Sequence, residues 1–277
     1  MQEQNYNLRP VWDVMLEIYE DFRRACNESC IRFFATGGTL LGAVRHQGFI
    51  PWDDDMDFLL RQDFFEKFLR IAPDVLPPYL KVIKWGRDTG FPFLFAKVQD
   101  TRQDKLEAVR SSSGLPLLEG LYLDLFPYSA LPHRGFSYYV KSTAFRMYIS
   151  SVCGGRKPTL KAKVGWAMGH LLRPFFPRFE NSWDILDYLW EHAHDVPCTN
   201  AKHLGFYDCN LCRHTYCCES DWYREAKWVK FDKTEVPIPI GYDEMLKVHY
   251  GDYMKLPPLE KRRITHVAVP KPLWKID

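Results

Sequence analysis

Apolar residues recur at helical spacing from Val11 to Cys30, at Met15, Ile18, Tyr19, Phe22 and Cys26, directly after Pro10, which suits the first turn of a helix. The pattern predicts an amphipathic helix. Ile31-Arg32-Phe33-Phe34-Ala35 reads as a buried strand running into Thr36-Gly37-Gly38-Thr39, after which Leu40, Leu41 and Val44 resume helical spacing. The two glycines are therefore expected at a strand-to-helix turn. A loop from His46 to Trp52 leads to Asp53-Asp54-Asp55-Met56-Asp57-Phe58-Leu59-Leu60, whose apolar tail predicts a strand, and Gln62 to Ile71 predicts a helix. Further strands are expected at Leu80–Trp85, Phe91–Val98 and Leu121–Phe126, with Pro77-Pro78 and Pro127 marking loops. The chain up to about Asp195 then reads as mainly helical, with pieces at 136–150 and 159–173. From Pro237 onward it reads as a Pro- and Tyr-rich coil with a short helix at Tyr242–Val248. These elements predict an α+β fold: a mixed β-sheet with flanking helices and an added, mainly helical region. The expected organisation is a core over residues 1–130, a basic helical region over 131–200, and a Cys/His-rich and closing segment over 201–277 that packs back on the core.

Composition narrows the class. With 46% hydrophobic and 16% aromatic residues in 277, the chain can bury a sizeable core and lacks the signature of disorder. The N-terminus shows no secretory-signal pattern and no apolar stretch of spanning length occurs, so the expected location is cytoplasmic, with a peripheral place at the inner face of a membrane as a variant. Eight cysteines are too few for a disulfide scaffold. The net charge of +2 conceals an asymmetry: no Asp or Glu occurs between Leu125 and Phe179, whereas nine Lys or Arg do, namely Arg134, Lys141, Arg146, Arg156, Lys157, Lys161, Lys163, Arg173 and Arg178. Basic helices interleaved with aromatic residues dock on anionic lipid or polyanions. The plainer alternative is that their apolar faces pack on the core and their basic faces are solvated. No nucleic-acid partner is expected.

Two places concentrate chemistry. Gly37-Gly38-Thr39 at a strand-to-helix turn lets backbone approach a ligand closely and offers helix N–H groups to a phosphate, although a Gly-Gly pair alone is more often only a turn. Asp55 and Asp57 stand at i and i+2 on an expected strand, which puts both carboxylates on one face. Clustered carboxylates repel, so a fold keeps them chiefly where a divalent cation neutralises them, and Mg²⁺ or Mn²⁺ suits oxygen ligands shared with phosphates. A solvated acidic turn or a Ca²⁺ loop is the alternative. Asp124, inside the apolar run Leu121–Phe126, is the candidate third carboxylate, with a structural turn cap as its plainer reading. Arg45 and Lys97 are candidate phosphate-stabilising cations, or structural ion-pair residues. Cys209, Cys212, Cys217 and His203 have ligand types and a local spacing that Zn²⁺ accepts, against plain buried or exposed thiols.

The run Gly37-Gly38-Thr39-Leu40-Leu41-Gly42-Ala43-Val44-Arg45-His46, followed by Gly48-Phe49-Ile50-Pro51-Trp52-Asp53-Asp54-Asp55-Met56-Asp57, resembles the LicD family. So do Pro237-Ile238-Pro239, Tyr242-Asp243-Glu244 and Tyr250-Gly251-Asp252-Tyr253-Met254-Lys255-Leu256-Pro257-Pro258 near the C-terminus. The resemblance covers about residues 10–130 and 228–266 and is weak in the basic middle. It implies a nucleotidyltransferase-like fold for the sheet region and metal-dependent transfer of a substituted phosphate, such as phosphocholine, from a CDP-activated alcohol. The acceptor would be a sugar hydroxyl of a cell-surface glycan or lipid-linked glycopolymer, and CMP would be released. Carried over, Asp55 and Asp57 would be metal ligands, Asp124 a third ligand or the general base, and Gly37, Gly38 and Thr39 would hold the diphosphate. The Cys/His segment has no counterpart in the family pattern. Two other readings stay open: a nucleotidyltransferase using a nucleoside triphosphate, and a non-catalytic module that binds glycan or membrane.

Overall fold

The computed structural model describes residues 8–86, 88–89, 91–102, 120–130, 160–175, 201–206 and 218–264, with single positions between 147 and 191. Helix α1 (Arg9–Glu28) buries the stripe expected of it, including Met15, Ile18, Tyr19, Phe22 and Cys26. Strand β1 (Phe33–Ala35) follows, shorter than the predicted run because Ile31 and Arg32 are still part of the turn out of α1, where the Ile31 N–H donates to the Cys26 carbonyl. Helix α2 (Gly37–Arg45) starts at the first glycine itself, so the glycines form the first turn of the helix. Strand β2 (Asp57–Arg61) and helix α3 (Gln62–Val75) come next, then β3 (Leu80–Gly86), β4 (Phe91–Asp100) and β5 (Tyr122–Ala130).

The sheet runs β1-β2-β5-β4-β3, with β2 and β5 parallel and the other neighbours antiparallel. Two short strands continue it, β6 (His203–Phe206) on β5 and β7 (Cys218–Glu219) on β6. The fold is α+β, with the mixed nucleotidyltransferase-like sheet expected from sequence. Of the added helical region, α4 (Leu160–Leu172) is described, close to the predicted 159–173, while the predicted helix 136–150 lies outside the described residues. A separate two-stranded ribbon, β8 (Ala226–Phe231) and β9 (Thr234–Pro239), precedes helix α5 (Tyr242–Tyr250).

Two proline readings are corrected here. Pro127 marks no loop; it lies inside β5. The Asp124 N–H donates to the Met56 carbonyl on the β2 side, so by alternation the nitrogen of residue 127 faces the opposite edge. There it falls between the end of β4 pairing at Leu125 and the start of β6 pairing at Tyr128, where no ladder donor is needed. Likewise Pro237 and Pro239 belong to β9 and not to coil, because a two-stranded ribbon leaves each strand one edge outside its ladder.

Period-2 alternation gives the sheet two unlike faces. Phe58 and Leu60 on β2, Leu123 and Leu125 on β5, and Ala96 and Val98 on β4 are fully buried. α1 packs on this face: Tyr19 stacks on Phe58 with ring centroids 5.1 Å apart, and Phe22 meets Phe33 at 4.9 Å and Phe68 of α3 at 5.2 Å. Such aromatic pairs add roughly 0.5–1.5 kcal/mol each beyond area burial. The opposite face carries Asp57 on β2, Tyr122, Asp124 and Phe126 on β5, and Phe93, Phe95 and Lys97 on β4. Polar residues are thus brought into the same sheet whose other side forms the core.

Candidate active site

The parallel register of β2 and β5 sets Asp57 directly beside Asp124, and the antiparallel register of β4 and β5 sets Lys97 on the other side of Asp124. Registered neighbours share a face, so three charged side chains form one row across the sheet. Asp55 is not on a strand, as its spacing predicted. It sits two residues ahead of β2 in the incoming segment, and is brought to the same place by that approach and not by strand alternation. One carboxylate oxygen from each of Asp55, Asp57 and Asp124 lies within 4.8 Å of the others. Asp55 and Asp124 are buried and Asp57 is half-buried.

Packing around this triad is tight. The Asp57 N–H donates to the Thr39 hydroxyl at 2.8 Å, and the Thr36 N–H to the Asp57 carbonyl at 3.0 Å, so α2 and β2 are stitched together at the acid itself. Gly37 has φ +53°, and a Cβ there would stand 2.5 Å from Asp57 Oδ2; a Cβ on Gly38 would stand 2.2 Å from Asp53 Oδ2. The glycine pair is therefore required by two carboxylates pressed against the start of α2, a reason sharper than turn formation. Leu40 is the first residue to donate within this helix, to the Thr36 carbonyl, so the amides of Gly37, Gly38 and Thr39 precede the ladder at the positive end of the helix dipole. Thr39 itself is buried, with its hydroxyl accepting from Asp57.

Lys97 is buried and forms an ion pair with Asp124, and its ammonium lies 3.4 Å from the Tyr122 ring centroid and 5.3 Å from that of Phe95. A buried lysine in this position offsets part of the carboxylate repulsion. The Tyr122 phenol is pushed upward, first by burial and then by the negative charges of Asp124, Asp55, Asp54 and Asp57, so it stays protonated and able to donate. Phe95 packs on Phe126 at 4.8 Å and on Phe93 at 5.5 Å, continuing an aromatic row away from the acids along the same face.

The loop between α2 and β2 is pinned from several directions. The Trp12 indole N–H donates to the Asp53 carbonyl at 2.8 Å, Trp12 stacks on Phe49 at 5.0 Å, and the Asp232 N–H of the β8–β9 turn donates to the Gln47 carbonyl at 2.7 Å. Arg45 donates to the Tyr253 carbonyl at 2.7 Å, and the Arg262 guanidinium lies 5.2 Å from the Trp52 ring centroid. Burial lowers the Arg45 pKa, and burial together with Arg45 lowers that of His46. The C-terminal segment that resembled the family's closing motif is thus what holds Arg45 and the acidic loop in place.

Of the residues singled out by sequence, Gly37, Gly38, Thr39, Asp55, Asp57, Lys97 and Asp124 converge on one locus, while Arg45 is set at the far end of α2. His203 lies exposed on β6, and Cys209, Cys212 and Cys217 fall outside the described residues. Sequence reasoning passed over Asp53, Tyr122 and Tyr253. Asp53 had a signal, its place in the acidic run, but only its contact with Gly38 separates it from its neighbours.

The three acids fit a hard divalent cation: all donors are carboxylate oxygens, they converge from three chain segments, and the glycines leave room against them. Similarity to known proteins agrees with this geometry. Residues 30–133 match the family model described as LicD/FKTN/FKRP, nucleotidyltransferase domain, a span that contains β1 to β5 and every acid of the triad. Along 273 residues the chain is 26% identical to the lipopolysaccharide cholinephosphotransferase LicD of Haemophilus influenzae, covering 92% of this chain and 94% of that protein. Shorter matches link it to uncharacterized proteins of Rickettsia typhi, 37% identical over 59 residues (21% of this chain and 19% of that one), and Rickettsia prowazekii, 44% identical over 43 residues (16% of each). The similarity to LicD proteins thus centres on the nucleotidyltransferase domain at residues 30–133 and continues at 26% identity along nearly the whole chain.

Proposed function

We propose that this protein is a Mg²⁺- or Mn²⁺-dependent phosphotransferase that moves a substituted phosphate, phosphocholine or a close analogue, from a CDP-activated alcohol to a sugar hydroxyl. The acceptor is a cell-surface glycan or lipid-linked glycopolymer precursor, and CMP leaves. The observation that carries this reading is the convergence of Asp55, Asp57 and Asp124 within 4.8 Å at the glycine-led start of α2. The similarity to a lipopolysaccharide cholinephosphotransferase over most of both chains supports the transferred group and the acceptor class. The setting is cytoplasmic, at the inner face of a membrane.

In this reading Asp55, Asp57 and Asp124 hold the cation, which when bound supplies positive charge against the donor's diphosphate. The amides at the start of α2 accept phosphate oxygens, and Gly37 and Gly38 let those oxygens come close to the backbone. Thr39 fixes the Asp57 main chain and so acts as a positioning residue. Asp124, paired with Lys97, would either ligate or take the proton of the acceptor hydroxyl, with Lys97 orienting it. Arg45 and the closing segment keep the acidic loop from opening.

³¹P NMR with Mg²⁺ or Mn²⁺ and, separately, CDP-choline, CDP-ribitol, CDP-glycerol and CTP, each with and without a glycan acceptor, tests this. CMP from one CDP-alcohol, lost in Asp57→Ala, is the expected result. Pyrophosphate from CTP would replace the reading with nucleotidyl transfer, and no turnover of any donor by freshly folded protein would overturn catalysis with these donors.

A further inference from the structure

Helix α4 carries four large apolar side chains on the outside. Leu160, Val164, Met168 and Leu171 are 78%, 54%, 42% and 69% exposed, and Phe175 in the turn that follows is 79% exposed. Their spacing of four, four, three and four residues puts them in one stripe along the helix. Among the described side chains of the helix, the less exposed positions are Gly165, Gly169, His170 and Leu172, so two glycines and a histidine lie further in than four large apolar residues. Lys163 and Arg173 within this span are exposed, and so is Arg178 after it.

Three observations decide what covers this face. First, a stripe of large apolar side chains is ordinarily covered by a protein core or by lipid, and this one is at the surface. Secondly, thirteen residues rise about 20 Å, short of the roughly 30 Å hydrocarbon layer, so α4 does not span; among the described residues no helix is long and apolar enough to cross a membrane. Thirdly, the charge around it has one sign: nine of the 37 basic residues of the chain and none of its 35 acidic ones lie between Leu125 and Phe179. An exposed apolar stripe within a stretch of chain whose only charges are basic matches the interface of an anionic bilayer, where hydrocarbon takes the stripe and headgroups take the lysines and arginines. A second copy of the chain would supply the apolar match but would set this basic stretch beside another of the same sign.

We propose that α4 and the following turn form a peripheral docking surface for an anionic lipid bilayer, lying in the plane of the interface with Leu160, Val164, Met168, Leu171 and Phe175 inserted. This deepens the phosphotransferase reading and rests on it only for its purpose, bringing the enzyme to a membrane-held acceptor; the binding is measured without turnover.

The test is flotation of the full-length protein with vesicles of phosphatidylcholine alone and of phosphatidylcholine mixed with phosphatidylglycerol, beside Leu171→Ser/Phe175→Ser, Lys163→Gln/Arg173→Gln and Asp57→Ala. The expected result is flotation with the anionic vesicles, weakened by about tenfold or more in the serine pair, and both weaker and less salt-sensitive than the parent in the glutamine pair, with Asp57→Ala floating as the parent does. No flotation of the parent, or equal flotation of the serine pair, overturns the proposal. So does a concentration-dependent dimer that falls apart in the serine pair without vesicles, which assigns the stripe to self-association. Because Asp57→Ala is inactive by the phosphotransferase reading yet expected to bind, failure of docking and failure of catalysis are separate outcomes.

Discussion

Two acid-rich regions of this protein use the same side chains in opposite ways. On α1, Asp13, Glu17 and Glu20 lie partly or fully exposed, and each has a cation beside it: Arg9 and Lys233 at Asp13, Arg102 at Glu17 and Arg23 at Glu20. On the sheet, Asp55, Asp57 and Asp124 come together partly or fully buried, with Lys97 at Asp124. Solvent screens the first set, so its pairs contribute little and repel little. The second set is desolvated, and keeping three carboxylates within 4.8 Å costs stability unless a cation joins them. An acid cluster therefore signals function by its burial and convergence, while its count in the sequence says much less.

The largest effect that would sharpen this contrast is on turnover. Asp57→Ala or Asp124→Ala is expected to lower activity by at least about 10²-fold. In Asp57→Asn, by contrast, the metal-free protein should melt no lower than the parent, since one of three repelling charges is gone; a clear fall in melting temperature would mean the triad is structural. Next comes Gly37→Ala, where a left-handed backbone and a Cβ 2.5 Å from Asp57 Oδ2 should cost about 1–2 kcal/mol in denaturant unfolding and displace the acid, reducing turnover as well.

Metal linkage should follow. Mg²⁺ or Mn²⁺ at about 100 times its dissociation constant is expected to stabilise the parent by about 2.7 kcal/mol and Asp57→Asn by far less, read as a shift in thermal melting. A shift equal in both would move the cation elsewhere. At α1, Lys233→Ala, which removes an exposed partner of Asp13, should change stability by no more than about 0.5 kcal/mol, and a larger change would break the comparison outright.

The smallest effect is one of pH. Hydrogen bonds first from Arg9 and then from Lys233 hold the Asp13 carboxyl down from its ordinary 3.8 to about 2. Because the folded value lies below the unfolded one, the contribution of Asp13 is complete above pH 3.8 and is lost as pH falls through about 2. Melting curves between pH 5 and 2 should show a small decline in the parent that is absent in Asp13→Asn and shrinks with salt, as a partly exposed group requires.

Much of the framework was legible in the chain. The apolar spacing of Val11 to Cys30 marked α1, the apolar runs Phe58–Leu60 and Leu121–Phe126 marked the central strands, and Asp57 and Asp124 were readable as acids beside or within those runs. The misreadings have a common cause. Pro127 and Pro237 were taken as breaks because local propensity counts a missing N–H as a loss, yet each lies where no partner strand asks for that donor. Asp55 was assigned to the strand by its spacing from Asp57, but pairing of β2 with β5 begins only at Asp57. The basic helix was expected either to bury its apolar side or to dock it, and spacing within α4 could not choose between them.

By itself the sequence determined which residues alternate, and so which side chains share a face of their own strand or helix, because that periodicity is a property of one backbone segment. Which strands lie side by side was decided only in the tertiary structure. The parallel register that places Asp57 beside Asp124, and the antiparallel one that adds Lys97, arise from contacts between segments far apart in the chain. The same holds for the glycines: a Gly-Gly pair permits a tight turn anywhere, but the need for it here comes from the carboxylates of Asp57 and Asp53, which reach the start of α2 only once the sheet has closed around them.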